Sequence, residues 1–200
     1  MKINNKWVLP GIIVGVILLI FFAVMGSYNG LVNKREEVKK SLANVQTQYQ
    51  RRSDLVPNLV STVKGAAEFE QETLNQVVEA RTKATSIQID PSKVTPQQLQ
   101  QFQAAQGELS QALGRLLAIT ENYPQLKAVD AFRDLQVQLE GTENRIAVAR
   151  KDYNDTTASY NARVQRFPAN ITAGIFGFDQ FPYFQADQGA EKAPNVNFSQ

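Results

Sequence analysis

The first feature of the hydrophobic pattern is an unbroken apolar run at residues 8–25, which contains no charged side chain. At about 1.5 Å per residue, a helix of this length approaches the thickness of the hydrocarbon core of a bilayer. Trp7 and Tyr28 flank the run, and aromatic side chains of this kind favour the membrane interface. The pattern therefore predicts a transmembrane anchor within residues 1–27.

Two other structures would also explain the apolar run. A cleaved signal peptide would begin with basic residues, as this chain does with Lys2 and Lys6. The bulky Met25 and the helical pattern directly after it argue against cleavage. A buried core helix would place a very apolar element ahead of an otherwise polar chain. A retained single-pass anchor is the prediction.

The side of the membrane is decided only weakly by the charges. Counting Lys and Arg alone, the C-terminal flank of the anchor is more basic than the N-terminal flank, which favours a cytoplasmic helical domain. Glu36 and Glu37 lie among those basic residues. The orientation therefore stays open.

After the anchor, bulky positions recur at alternating spacings of three and four residues from Tyr28 to Val63. This heptad spacing predicts a helix that continues out of the membrane. Pro57 interrupts it and predicts either a kink or a break, with Asp54 as the cap of a new helix after a break. The spacing keeps its register across Pro57, which favours the kink.

Further helical patterns follow between loop signals. One ends near Ala84, one begins at a Thr95–Gln98 capping box with Pro96 at its first position, and the longest ends at Pro168. Residues 28–168 therefore predict an all-α fold, an elongated antiparallel bundle of three to four long helices behind the transmembrane helix. Residues 169–200 form a separate segment, which we expect to be an irregular aromatic and polar tail.

Composition limits the possible functions. The chain has 21 Lys and Arg against 19 Asp and Glu, interspersed, so it lacks the concentrated basic face that nucleic-acid binding requires. It contains neither Cys nor His, which removes thiol chemistry, zinc-thiolate sites and the commonest general base. No phosphate loop, nucleophile elbow or dinucleotide fingerprint is present. We expect no catalysis, no cofactor and no nucleic-acid partner.

Four charged residues lie on or beside the apolar faces of the predicted helices: Arg52, Glu70, Glu143 and Arg150. One interpretation is a carboxylate metal site inside the bundle, but such sites also use His, which this chain lacks. The favoured interpretation is a structural polar layer that fixes helix register. Glu70 is expected to pair with one of the two Arg residues.

Two groups of aromatic residues are candidates for interaction. Tyr153 and Tyr160, each followed by Asn, recur at seven residues, which predicts packing in the helix interface with the hydroxyls bonded at its edge. The tail adds Phe176, Phe178, Phe181 and Phe184. These rings are too apolar to stay in water, so the tail either folds back on the bundle or forms an interface.

The anchor itself carries a signal for association. Gly11 and Gly15 form a G-x-x-x-G pair, which permits close approach of two transmembrane helices. Together with the heptads that follow, it predicts a homo-oligomer.

Several strings together resemble the LemA family: YNGLV at 28–32, RRSDLVPNLV at 51–60, ENYPQLKA at 121–128, LEGTENRI at 139–146 and FPAN at 167–170. The resemblance covers nearly the whole chain. It implies a bacterial membrane protein with an elongated helical domain and no established catalytic activity. The family often has an aromatic residue and a His-Glu pair where this chain has 66–70, and only Glu70 is retained.

The function predicted from these observations is a scaffold or adaptor anchored in the bacterial inner membrane. It would contact the lipid bilayer, itself and an unidentified membrane or envelope protein. The alternative is a membrane-organising protein whose aromatic residues at 171–184 contact the lipid surface, although this part of the chain is short of Lys and Arg.

Overall fold

The computed structural model describes residues 5–65 and 71–186. The described part of the chain contains helices and no strand, so the all-α prediction is confirmed. The elements are α1 (Asn5–Lys64), α2 (Gln71–Ser86), α3 (Pro96–Thr120), α4 (Pro124–Lys127), α5 (Asp130–Gln165) and α6 (Ala169–Phe176). The expectation of an irregular tail at residues 169–200 is wrong at 169–176, which form helix α6.

Helix α1 joins the apolar run to the rest of the molecule without a break. It is 60 residues long and passes through Pro57, so Asp54 does not start a new helix. From Leu9 onward its apolar part is exposed, with a mean hydropathy of 2.7, and by length and composition it is able to cross a membrane. This is the helix that the sequence pattern predicts as an anchor.

The passage of α1 through Pro57 has a local explanation. Proline has no backbone N–H, so the carbonyl of Ser53, four residues earlier, loses its helical hydrogen bond. Arg81 of α2 donates its Nε–H to that carbonyl at 2.9 Å. Ser53 is buried, so water does not replace the missing donor. The Arg81 bond therefore compensates for the proline and fastens α2 to α1.

The backbone of the fold is an antiparallel pair formed by α1 and α5. Ser41 bonds Thr156 at 2.8 Å, and Arg52 bonds Glu143 at 2.7 Å, so residue numbers rise along α1 as they fall along α5. Helices α2 and α3 cover the half of this pair that is far from the apolar run. Helix α6, residues 178–186 and the first turns of α3 cover the nearer half.

Two hydrophobic cores consequently follow one another along the pair. The distal core, far from the apolar run, joins α1, α2, α3 and α5 and includes Val56, Leu59, Leu74, Leu113 and Phe132. The proximal core, nearer to it, includes Leu31, Leu42, Tyr49, Tyr153 and Phe184. The tail therefore contributes core residues and supplies the cover that two shorter helices alone do not provide.

The start of α3 follows its sequence signal. The Thr95 hydroxyl accepts a bond from the Gln98 N–H at 3.2 Å, and the Gln98 side chain accepts one from the Thr95 N–H at 3.0 Å. Pro96 occupies the first turn, where its missing N–H costs no helical bond. The predicted capping box is confirmed.

Candidate functional site

A buried guanidinium lies between the two cores. Arg52 is 1% exposed, and its Nη1 donates to Glu143 at 2.7 Å and to the Ser110 hydroxyl. Its Nη2 donates to the carbonyl and to the side-chain oxygen of Gln106, at 2.9 and 2.7 Å. Gln106 in turn donates to the carbonyl of Ala84 at 3.1 Å. This polar layer connects α1, α2, α3 and α5.

The structure brings together two of the four charged residues that the sequence analysis grouped. Arg52 pairs with Glu143, but Arg150 lies further along α5, where its guanidinium donates to the Gln185 carbonyl at 2.7 Å. Glu70 lies outside the described residues, so its predicted pairing stays a prediction. Across residues 5–65 and 71–186, no cluster of three acidic side chains is arranged to hold a metal ion.

An open groove borders the polar layer. It has a volume of about 530 Å³ and lies between α3 and α5, with Arg52 and Glu143 at its base. Its walls are rich in side-chain amides, and the last described residues of the tail close one end. The lining includes Gln100, Gln103, Gln111, Arg150, Gln185 and Ala186.

The repeated Tyr-Asn pairs of α5 bind the main chain of the tail. Asn161 donates its amide to the Phe181 carbonyl at 2.9 Å and accepts the Phe181 N–H at 3.0 Å. Asn154 makes the same two bonds with Phe184, both at 3.0 Å. Each Asn therefore pairs with one tail residue as a neighbouring β-strand would.

The tyrosines complete each of these units. Tyr160 donates its hydroxyl to the Asp179 carbonyl at 2.9 Å, and Tyr153 donates to the Pro182 carbonyl at 2.8 Å. The ring of each Tyr also meets a tail Phe edge-on, with centroids 5.3 Å apart for Tyr160 and Phe181. We call residues 178–186 together with these two pairs the tail clasp.

The spacing of the tail clasp follows from the geometry of its two chains. Seven residues of helix rise about 10.5 Å. Three residues of extended chain cover about 10 Å. The tail residues bound by the second unit, Pro182 and Phe184, are each three positions beyond those bound by the first. The heptad repeat of α5 therefore matches an extended tail that runs antiparallel to it.

Burial changes the acidity of both phenols in the tail clasp. Removal from water disfavours the phenolate, which raises the pKa of Tyr153 to about 12. The same cause raises the pKa of Tyr160. Both hydroxyls therefore stay protonated near neutral pH and serve as hydrogen-bond donors to the tail.

The predicted interaction aromatics divide into two sets by exposure. Tyr153, Tyr160, Phe178 and Phe184 are buried within the chain, and Phe181 is half-buried. Phe176 is exposed, next to Tyr28 with ring centroids 4.9 Å apart. Folding back is thus what the structure shows for residues 178–186, and α6 carries the rings that face outward.

The predicted anchor residues are placed as follows. The side chain of Trp7 lies outside the described residues. A Cβ added at Gly11 or at Gly15 would meet no atom within 4 Å, so this face of the helix is open in the described structure. Tyr28 contacts the rings of Phe176 and Phe178, so it also belongs to the packing of the tail.

The motifs and this architecture can be compared with known proteins. The model of the LemA family matches residues 41–198. The chain belongs to the LemA family. The resemblance inferred from its sequence strings is therefore confirmed, and the family assignment carries no known catalytic activity with it.

Three relatives show how far this similarity extends. Magnetosome protein MamQ 2 of Paramagnetospirillum magneticum is 30% identical over 179 residues, which are 79% of this chain and 64% of that protein. MamQ of Magnetospirillum gryphiswaldense is 28% identical over 178 residues, 78% of this chain and 64% of that protein. Protein LemA of Metamycoplasma hominis is 24% identical over 170 residues, 85% and 74% of the two chains. The chain spans less than two thirds of the length of the MamQ relatives.

Proposed function

We propose that this LemA-family protein is a single-pass helical scaffold of a bacterial inner membrane that acts by binding proteins, including a second copy of itself, without catalysis. The observation that carries the proposal is the continuity of α1 from Asn5 to Lys64. One helix is both the candidate membrane span and a central strut of the domain. The domain is therefore held at a defined height and direction from the membrane.

Anchoring of this kind favours binding in two ways. It confines copies of the domain to a thin layer, which raises their effective concentration for one another and for membrane-bound partners. Anchoring also reduces the rotational freedom that is lost on association, because the packing of α5 along α1 restricts how the domain can turn relative to the membrane span. A scaffold gains from both effects, whereas an enzyme acting on small molecules has no need of them.

The groove beside the polar layer is the surface that we propose for protein binding. At its closed end Gln103 donates to the Gln185 carbonyl at 2.7 Å and Arg150 donates to the same oxygen. These side chains recognise a main chain, and further side-chain amides line the groove beyond them. Such a surface suits an extended segment of a partner protein, because main-chain recognition depends little on the partner's side chains.

Self-association is proposed through the anchor. The open face at Gly11 and Gly15 lets the backbones of two helices approach closely, which increases the van der Waals contact between helices in lipid. A test is energy transfer between donor- and acceptor-labelled full chains in vesicles at low protein density. The variant G11L/G15L should lose transfer, and the matched control I13L/I17L, on another face, should keep it. Equal transfer in both variants would contradict association through this face.

Protein binding by the groove is tested by photo-crosslinking in cells. A photoreactive phenylalanine at Gln100 or Gln111, both in the groove, should give defined adducts with other proteins. The same residue at Gln76, exposed on α2 and outside the groove, is the control. Arg150→Ala should weaken the groove adducts. Identical adduct patterns from all three positions would contradict the proposed binding surface.

A further inference from the structure

Helix α6 buries its small residues and exposes its large apolar ones, which is the opposite of the usual amphipathic pattern. The small residues Ala169, Thr172 and Ala173 face the bundle and are buried. The large ones face outward: Phe167 just before the helix is 80% exposed, Ile171 53% and Ile175 69%.

Ile171 and Ile175 are four residues apart and form one stripe along the helix, and Phe167 lies just before the first turn of α6. Phe176, at 51% exposed, extends the stripe at its C-terminal end. Residues 167–178 contain no charged side chain. A contiguous apolar surface of this kind on a protein marks contact with another apolar phase.

The position of α6 in the fold indicates what its exposed apolar residues contact. Phe176 and Phe178 meet the ring of Tyr28 at centroid distances of 4.9 and 5.5 Å. Tyr28 is three residues past Met25, so it lies about 5 Å beyond the end of the apolar run along the helix axis. The C-terminal end of α6 is thus held where α1 would leave the membrane.

The end of α5, which leads into α6, lies near the same point along α1. The Arg163 guanidinium near the end of α5 lies 3.9 Å from the position of a Cβ on Gly30. Gly30 is two residues along α1 from Tyr28. Helix α6 begins four residues after the end of α5 and packs against both α1 and α5, so it lies beside the exit of the anchor.

Two basic residues precede the apolar stripe in the chain, and a third packs on the buried ring of Phe178, beyond its C-terminal end. Arg163 and Arg166 are exposed just before it, and the Arg35 guanidinium lies 4.7 Å from the Phe178 ring centroid. Cations at this height above an apolar face are placed to meet phosphate groups of lipids. The sequence of 171–184 is short of Lys and Arg, but the fold supplies them from α1 and α5.

We propose that α6 is a second membrane contact, in which Phe167, Ile171, Ile175 and Phe176 insert into the interface of the bilayer that α1 crosses. The inference rests on the membrane anchoring in the proposed function and goes beyond it by assigning a lipid-binding site. It differs from the lipid contact expected at 171–184, because Phe178 and Phe184 are buried in the tail clasp. Contact at α6 as well as α1 would fix the tilt of the domain.

The test uses the full chain, which has no native cysteine, in phosphatidylcholine vesicles. A polarity-sensitive fluorophore is attached to Ile175→Cys, and quenching is measured with lipids that carry a nitroxide high on the acyl chain. Met25→Cys, at the end of the apolar run, is the positive benchmark. Val148→Cys is the negative benchmark, since it is exposed on α5 far from the anchor.

The proposal expects the label at 175 to be quenched to at least half the extent of the label at 25. The double variant F167Q/I171Q should reduce that quenching at least twofold, whereas Val137→Gln on the exposed face of α5 should leave it unchanged. Quenching at 175 as low as at 148 would overturn the lipid contact alone. An apolar emission at 175 without lipid quenching would overturn it in favour of a protein cover. Absence of quenching at 25 would overturn the anchoring itself.

Discussion

Arg81 and Pro57 form a pair whose coupling can be measured. Replacing Arg81 by Met removes the donor that the Ser53 carbonyl has in the described part of the chain, and it leaves that carbonyl buried. A hydrogen bond from a charged donor contributes about 1.5–3 kcal/mol, and a buried acceptor left without a partner costs about 1–3 kcal/mol. Because Arg81 is only half-buried, we expect the lower part of this range, about 1.5–2 kcal/mol of lost stability.

The proline decides how large that loss is. In the variant P57A, the new N–H restores the helical bond to the Ser53 carbonyl, so the helix no longer depends on α2 for that acceptor. Arg81→Met on this background should cost about 0.5 kcal/mol or less, which gives a coupling free energy of about 1–1.5 kcal/mol.

The assay is urea unfolding of the full chain in detergent micelles for the parent, both single variants and the double variant. Arg133→Met is the matched control, because its pair with Asp130 is exposed on both sides and should contribute less than about 0.5 kcal/mol. Additive effects of Arg81→Met and P57A would refute the role assigned to the Ser53 carbonyl.

Three further outcomes follow from the polar layer and the tail clasp. Asn161→Asp keeps the acceptor for the Phe181 N–H but loses the donor to the Phe181 carbonyl. The lost bond should lower the stability of the tail clasp by about 1.4 kcal/mol, so the backbone amides of residues 178–186 should exchange hydrogen about tenfold faster. Unchanged exchange rates would contradict the tail clasp. Tyr153 is buried protonated with a pKa raised to about 12, so its stabilisation is complete below pH 10 and is lost as the pH rises to 12. The parent should lose about 2–3 kcal/mol more over this interval than Tyr153→Phe, as judged by urea unfolding at each pH, and parallel curves would count against this. Arg52→Met should cost about 3 kcal/mol and Glu143→Gln less than about 1 kcal/mol in the same assay, because the guanidinium is buried and the carboxylate is half exposed; equal costs would argue against this asymmetry.

Features with a local sequence signal could be predicted. The heptad spacing identified α5 and the part of α1 after Tyr28, because one face of each of these stretches is buried. The Thr95 capping box identified the start of α3 to the residue, since all its groups lie within one turn. Arg52 and Glu143 could be grouped from the sequence, because charges on or beside an apolar face require partners, and the structure pairs them.

Features that depend on main-chain recognition were missed. Nothing in the tail marks the carbonyls and N–H groups that Asn154 and Asn161 bind, because every residue has such groups. The same reason hid the bond from Arg81 to Ser53 and the roles of Gln103 and Gln106. The signal that was available is the repeat itself: two Tyr-Asn pairs at seven residues indicate a target that also repeats along the helix.

The reverse amphipathic pattern of α6 was hidden for a different reason. Sequence periodicity reports an apolar face but not which phase covers it. Ile171 and Ile175 were therefore read together with Phe178 and Phe184 as one aromatic tail. Only the fold separates the rings that enter the proximal core from the side chains that face outward beside Tyr28.

The proposed function requires that the domain is held rigidly by α1, the helix proposed to cross the membrane. The measurement that tests it most directly is the distance between spin labels at Phe22→Cys and Ser61→Cys, in the full chain reconstituted in lipid nanodiscs. A continuous α1 predicts one narrow distribution near 58 Å, from about 1.5 Å per residue over the intervening helix. A broad distribution, or one centred well below that distance, would show that the domain pivots on its anchor and would contradict the account.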